Sequence, residues 1–155
     1  MLSMDLAEAL ASDALARSRA MGRNTVVAVC DDGGTLKAFR RPDRSNLGCV
    51  DLALTKARSA VRFNTATHAF WPAFASQPDT QMGMAALPGF TVEGGGAPIR
   101  LRGQMIGGIG VSGAQNWQED VDIIAAVFVA FGLDPVGAAY VAPKAPSRGA
   151  SARRS

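Results

Sequence analysis

Histidine occurs once in this chain, at His68, and cysteine twice, at Cys30 and Cys49. One histidine rules out a multi-histidine metal site, and the two cysteines stand in no metal-ligand or redox spacing. Aromatic residues are 6% of the 155 positions and charged residues 19%. No apolar run approaches the ~18 residues that a membrane-crossing helix requires. The first 21 residues carry Asp5, Glu8 and Asp13 and have no basic start before a solid apolar stretch. They do not read as a secretory signal, so a reducing, cytoplasmic location without a membrane partner is expected. A Walker A loop is missing too, because Gly94-Gly95-Gly96 is not followed by Lys and Ser or Thr.

What remains is core-forming material. Hydrophobic residues make up 48%, which excludes a disordered chain. The formal net charge is +3 and the pI about 9.3, values that invite a nucleic-acid reading. The distribution removes that invitation. Lys144, Arg148, Arg153 and Arg154 supply four of the 16 basic residues, which leaves 12 against 13 acidic ones in the rest. The expectation is one domain over residues 1–141 and a basic, disordered tail over 142–155, with at most nonspecific, salt-sensitive binding to nucleic acid.

Periodicity predicts a helix over 4–21, capped by Ser3 and ended by Gly22. Thr25–Cys30 and Thr35–Arg40 flank the turn Asp31-Asp32-Gly33-Gly34 and read as a β-hairpin. A helix follows at about 49–63, then a helical stretch near 67–75 interrupted by Pro72, and an irregular segment over 76–90. Glu93–Pro98 reads as a loop, Ile99–Arg102 and Met105–Ser112 as a second hairpin, and 117–131 as the last helix. The order predicts an α/β (α+β) domain, one antiparallel sheet with helices on its faces.

Several motifs have a structural and a chemical reading. Gly108-Ile-Gly110-Val-Ser-Gly113 spells GxGxxG, but little chain remains for a parallel return strand. Its glycines then mark close approach by another backbone, a side chain or a ligand. Ser112 lies in G-V-S-G, which is not the G-x-S-x-G elbow. The Gly94–Gly96 amides either cradle an anion or form a flexible connection. His68 is either an edge or interface position or a haem ligand. Phe70, Trp71 and Phe74 serve either the core or a subunit contact.

The helix over 49–63 is more informative. At about 100° per residue, Val50, Ala53, Leu54, Ala57, Ala60 and Val61 share one face and Asp51, Thr55, Arg58 and Arg62 the other. Lys56 falls at about 240° from Val50 on that wheel, away from the other cations. It either snorkels, pairs with an anion, or acts on a ligand. Asp120 shares an apolar face of the last helix with Ile124, Val127 and Phe131, as a first-turn cap or as a site carboxylate. Arg40, Arg41, Asp43 and Arg44 form either a solvated loop or a carboxylate clamp.

Four segments together carry a family resemblance. V-x-V-C-D-D-G-G-T-L-K-A-F-R-R-P-D (Val27–Asp43), T-K-A-R-S-A (Thr55–Ala60), G-G-G-A-P-I (Gly94–Ile99) and I-G-G-I-G-V-S-G-A (Ile106–Ala114) resemble the GlcG/HbpS family, itself similar to the C-terminal domain of PduO-type corrinoid proteins. The match spans residues 5–132 in order. The resemblance implies a profilin-like sandwich with a central antiparallel sheet, assembled into dimers or larger rings. It implies links to haem binding, to cobalamin-associated proteins and to the catabolism of glycolate and other small acids. The family's lysine corresponds to Lys56, its Gly-Gly-Pro loop to Gly95, Gly96 and Pro98, its GVSG turn to Gly110–Gly113, and its acidic residue to Asp120 or Glu119. The histidine that haem-binding members use has no counterpart in the first helix here.

Two functional expectations follow. The first is a protein that sequesters or acts on a small anionic carboxylate metabolite, with lyase, isomerase or tautomerase chemistry by Lys56 or Asp120. Arg41, Gly94, Gly95, Gly96 and Ser112 would bind the ligand. The second is a haem or corrinoid module. No cofactor is evident from the motifs alone, and a homo-oligomer is expected in either case.

Overall fold

The computed structural model describes residues 1–137. The expected tail over 142–155, and residues 138–141 before it, lie outside the described residues. Helix α1 (Met4–Ala20) starts at Ser3, whose hydroxyl accepts from the Leu6 amide, and stops where Gly22 turns to φ +71°. Only a residue without Cβ takes that conformation freely. Strands β1 (Val26–Asp31) and β2 (Leu36–Arg40) form the first hairpin, and α2 (Gly48–Phe63) follows. A 3-10 turn at Thr67–Ala69 runs into the short α3 (Phe70–Ala73). Helix α4 (Pro78–Ala85), strands β3 (Gly96–Leu101) and β4 (Gln104–Ser112), and helix α5 (Trp117–Ala130) complete the chain.

The four strands form one antiparallel sheet in the order β2-β1-β4-β3. Alternation sorts the residues of β1. Val26 and Ala28 meet Ala53 of α2, while Val27 and Val29 join Leu10 and Ala14 of α1 and Ile124 and Phe128 of α5. Both faces of the sheet are thus covered, α2 on one and α1 with α5 on the other. Each large apolar side chain buried there stabilises the fold by about 1.5–3 kcal/mol.

Glycine decides how closely α2 lies on the sheet. A Cβ at Gly110 would strike the Ala53 carbonyl, and one at Gly96 would strike the Lys56 carbonyl. Backbone therefore packs on backbone, with Ala53, Ala57 and Ala60 as the facing side chains. The GxGxxG letters serve this contact.

Two segments depart from the expected elements. Residues 78–85 form a helix, started by Pro78 in its first turn, where proline's missing N–H goes unused. None of its residues is buried, so no apolar periodicity announced it. Strand β3 begins at Gly96 and includes Pro98, opposite Gly108. A proline fits there because β3 is an edge strand.

Candidate functional site

Lys56 lies completely buried on α2. Its Nζ donates to the Val111 carbonyl and to Asp120 Oδ2, both at 3.1 Å. Asp120, on α5, is 3% exposed, and its Oδ1 accepts from the Ala114 amide at 3.2 Å. The side chain that caps α5 is Asn116, which accepts from the Glu119 amide. Asp120 is therefore not the cap. Glu119 points elsewhere and holds Arg23 through both carboxylate oxygens, at 2.8 and 2.9 Å. Of the two acidic residues after the GVSG turn, Asp120 is the one that meets Lys56.

Burial pushes the Asp120 carboxyl above its usual range. The Lys56 charge and hydrogen bond and the Ala114 amide pull the other way, while Glu93 adds to the rise. Glu93 Oε1 stands 3.7 Å from Lys56 Nζ, and its side chain is half-exposed. Two carboxylates thus flank one ammonium, one sealed inside and one open to solvent.

The glycine loop makes this meeting possible. Gly95 takes φ +108°, and a Cβ there would lie 2.9 Å from Lys56 Nζ and 2.8 Å from Asp120 Cβ. Its carbonyl accepts from the Val111 amide. The Gly96 amide donates to Thr67 Oγ1 at 3.0 Å, so it is already taken. Gly94 is wedged between His68 and Trp117, where a Cβ would strike the indole.

On the outer side of Gly94 opens a cleft of about 420 Å³, lined by His68, Trp71, Pro72, Val92, Glu93, Gly94 and Trp117. The His68 ring stacks on Trp117, with centroids 5.8 Å apart and planes 15° apart. Burial lowers the His68 pKa, which favours the neutral imidazole, and its Nδ1 is buried without a hydrogen-bond partner among the described residues. Among the described residues no group of three or more His, Cys, Asp or Glu side chains could hold a metal ion.

The expected site residues separate into three places. Lys56 and Asp120 pair, and Gly94–Gly96 run between that pair and the cleft. Ser112 is buried at the end of β4 opposite Val26, beside the carbonyl that Lys56 uses. Arg41 is exposed beyond β2, at the far edge of the sheet from β3, and does not line the cleft. Sequence reading missed Glu93 and Trp117. The one signal for Glu93 was its position directly before three glycines.

A family model described as haem degrading protein HbpS-like matches residues 2–128. The chain belongs to the HbpS-like family. It is 29% identical over 121 residues to an uncharacterized 15.0 kDa protein from the dhaT-dhaS intergenic region of Citrobacter freundii, covering 76% of this chain and 84% of that one. Among solved structures, the Klebsiella pneumoniae protein ORFY superposes with a TM-score of 0.77 at 25% identity, over 84% of this chain and 90% of that one. A crystal structure of HbpS gives 0.76 at 28%, over 84% and 90%. A PduOC:heme complex gives 0.74 at 28%, over 83% and 93%. This HbpS-like chain therefore shares its α+β fold with proteins of which at least one has been crystallised with haem.

Proposed function

We propose that this protein binds a planar, mostly apolar small molecule in the cleft beside Trp117, and that haem is the ligand class to test first. The observation that carries this reading is the neutral, incompletely satisfied His68 imidazole stacked on Trp117 in a cleft with a second indole, Trp71. Flat apolar walls suit a macrocycle, and a neutral imidazole is a haem-iron ligand. The solved haem complex of a relative supports the same class. His68 would hold the group and Trp71 and Trp117 would flank it. Haem, when bound, supplies a redox-active iron. The chain's own part is to desolvate the ring and to keep the imidazole neutral.

Trp71 and Trp117 remain 44% and 39% exposed, so one chain covers only part of such a ligand. A second copy of the chain closing over them is the homo-oligomer this reading requires, and light scattering with and without ligand tests it. Haemin titration tests the binding itself. A saturable Soret shift that is lost in His68→Ala supports the proposal, and no shift at micromolar haemin rejects it. Cobalamin as a competitor separates a corrinoid from a haem preference.

A second reading rests on a different observation, the buried Lys56–Asp120 pair. Here a small carboxylate metabolite would replace Asp120 as the partner of Lys56, and Asp120, with its raised proton affinity, would move a proton. Gly94, Gly95, Gly96 and Ser112 lie beside that pair. Arg41 would have to come from another copy. Normal ligand binding and turnover in Lys56→Ala and Asp120→Ala would rule this reading out.

A further inference from the structure

Among the described residues, Glu93 is the only charged side chain that lines the cleft. Its nearest opposite charge, Lys56, does not line the cleft. That ammonium is fully buried and already donates to Asp120 and to the Val111 carbonyl. Asp120 stands nearer to it than Glu93 does, at 3.1 Å against 3.7 Å, so the ammonium does not belong to Glu93 alone. His68 adds no compensating cation while neutral. Two indole rings line the same cleft, and their faces attract cations. A half-exposed carboxylate among aromatic rings suits a positive charge or a hydrogen-bond donor, and it repels a second carboxylate.

We propose that Glu93 is the specificity-determining residue of the cleft, favouring planar ligands that turn a cationic or donor edge inward and rejecting those that turn a carboxylate inward. The inference rests on the reading of the cleft as the ligand site. It adds an orientation rule: a ligand that carries carboxylates keeps them on the solvent side.

Tryptamine and indole-3-acetate are matched probes, one ring system with opposite charge. Calorimetry on the wild-type protein should show tryptamine binding about tenfold more tightly, a difference that shrinks as salt rises from 50 to 500 mM. In Glu93→Gln, which keeps the shape and removes the charge, the two affinities should come within about twofold of each other. Glu93 is half-exposed, so this variant keeps the fold, and circular dichroism checks it. Equal affinities in the wild type, or tighter indole-3-acetate, overturn the role of Glu93. The cleft reading survives that outcome if Trp117→Ala abolishes binding of both probes. If Trp117→Ala leaves both affinities unchanged, or neither probe binds the wild type at millimolar concentration, the cleft reading fails as well.

Discussion

Lys56 Nζ and Asp120 Oδ2 lie 3.1 Å apart, joined across 64 residues of sequence by helices on opposite faces of the sheet. The lysine reaches the aspartate past Gly95, where any side chain would occupy the space of the contact. Removing one partner leaves a buried, unpaired charge. Lys56→Ala should cost about 3–5 kcal/mol in urea denaturation. The double change Lys56→Met with Asp120→Leu should recover most of that loss. A cost below 1 kcal/mol for Lys56→Ala would show that water reaches the pair.

Asp120 also predicts a pH dependence. Its carboxyl binds a proton more readily in the folded protein than in the unfolded chain, where the value is about 3.9. The resulting contribution to stability is fully present below that value and is lost as pH rises through the higher native one. Subtracting the stability profile of Asp120→Asn from that of the wild type should expose this falling slope. A slope of opposite sign would mean that Lys56 outweighs burial.

His68 has the converse sign. Burial depresses its pKa, so the folded protein resists protonation. The stability it contributes is present above the unfolded value of about 6.5 and is lost as pH falls through the native value. NMR titration of the ring should place its midpoint below 6.5, and the difference between wild type and His68→Gln should decline over the same range.

Gly110→Ala should be among the most damaging single-methyl changes, because the new carbon meets the Ala53 carbonyl. Overpacking of this kind typically costs about 1–3 kcal/mol, and a rigid backbone neighbour places it at the upper end. Gly22→Ala meets no atom but must adopt φ +71°, so it should cost only about 1 kcal/mol. Thermal unfolding of the two variants compares them directly.

The two thiols should differ in reactivity. Burial pushes the Cys30 thiol up to about 11, and its Sγ donates to the Gly108 carbonyl. Cys49 is half-buried at the start of α2. At pH 8 a disulfide reagent should label Cys49 in the native protein and Cys30 only after unfolding. Equal labelling rates would show that the β1–α2 contact opens readily.

Much of the architecture was readable in local patterns. The turn Asp31–Gly34, the Ser3 cap and the apolar stripes of α1, α2 and α5 specify their elements through interactions within a few residues. Helix α4 escaped because none of its residues is buried, and the start of β3 escaped because Gly96 and Pro98 mimic a loop. Lys56 and Asp120 stood out because each interrupts an apolar face, a property of one helix alone.

Their partnership was not readable, because it depends on how close two helices come across the sheet. The glycines at 96, 108 and 110 set that distance by allowing α2 to lie on bare backbone. Tertiary structure also chose Asp120 over Glu119, set Arg41 at the opposite edge, and gathered His68, Trp71, Glu93 and Trp117 into one cleft. Periodicity determines which way a side chain points from its own helix or strand. Packing between distant elements determines what it meets there.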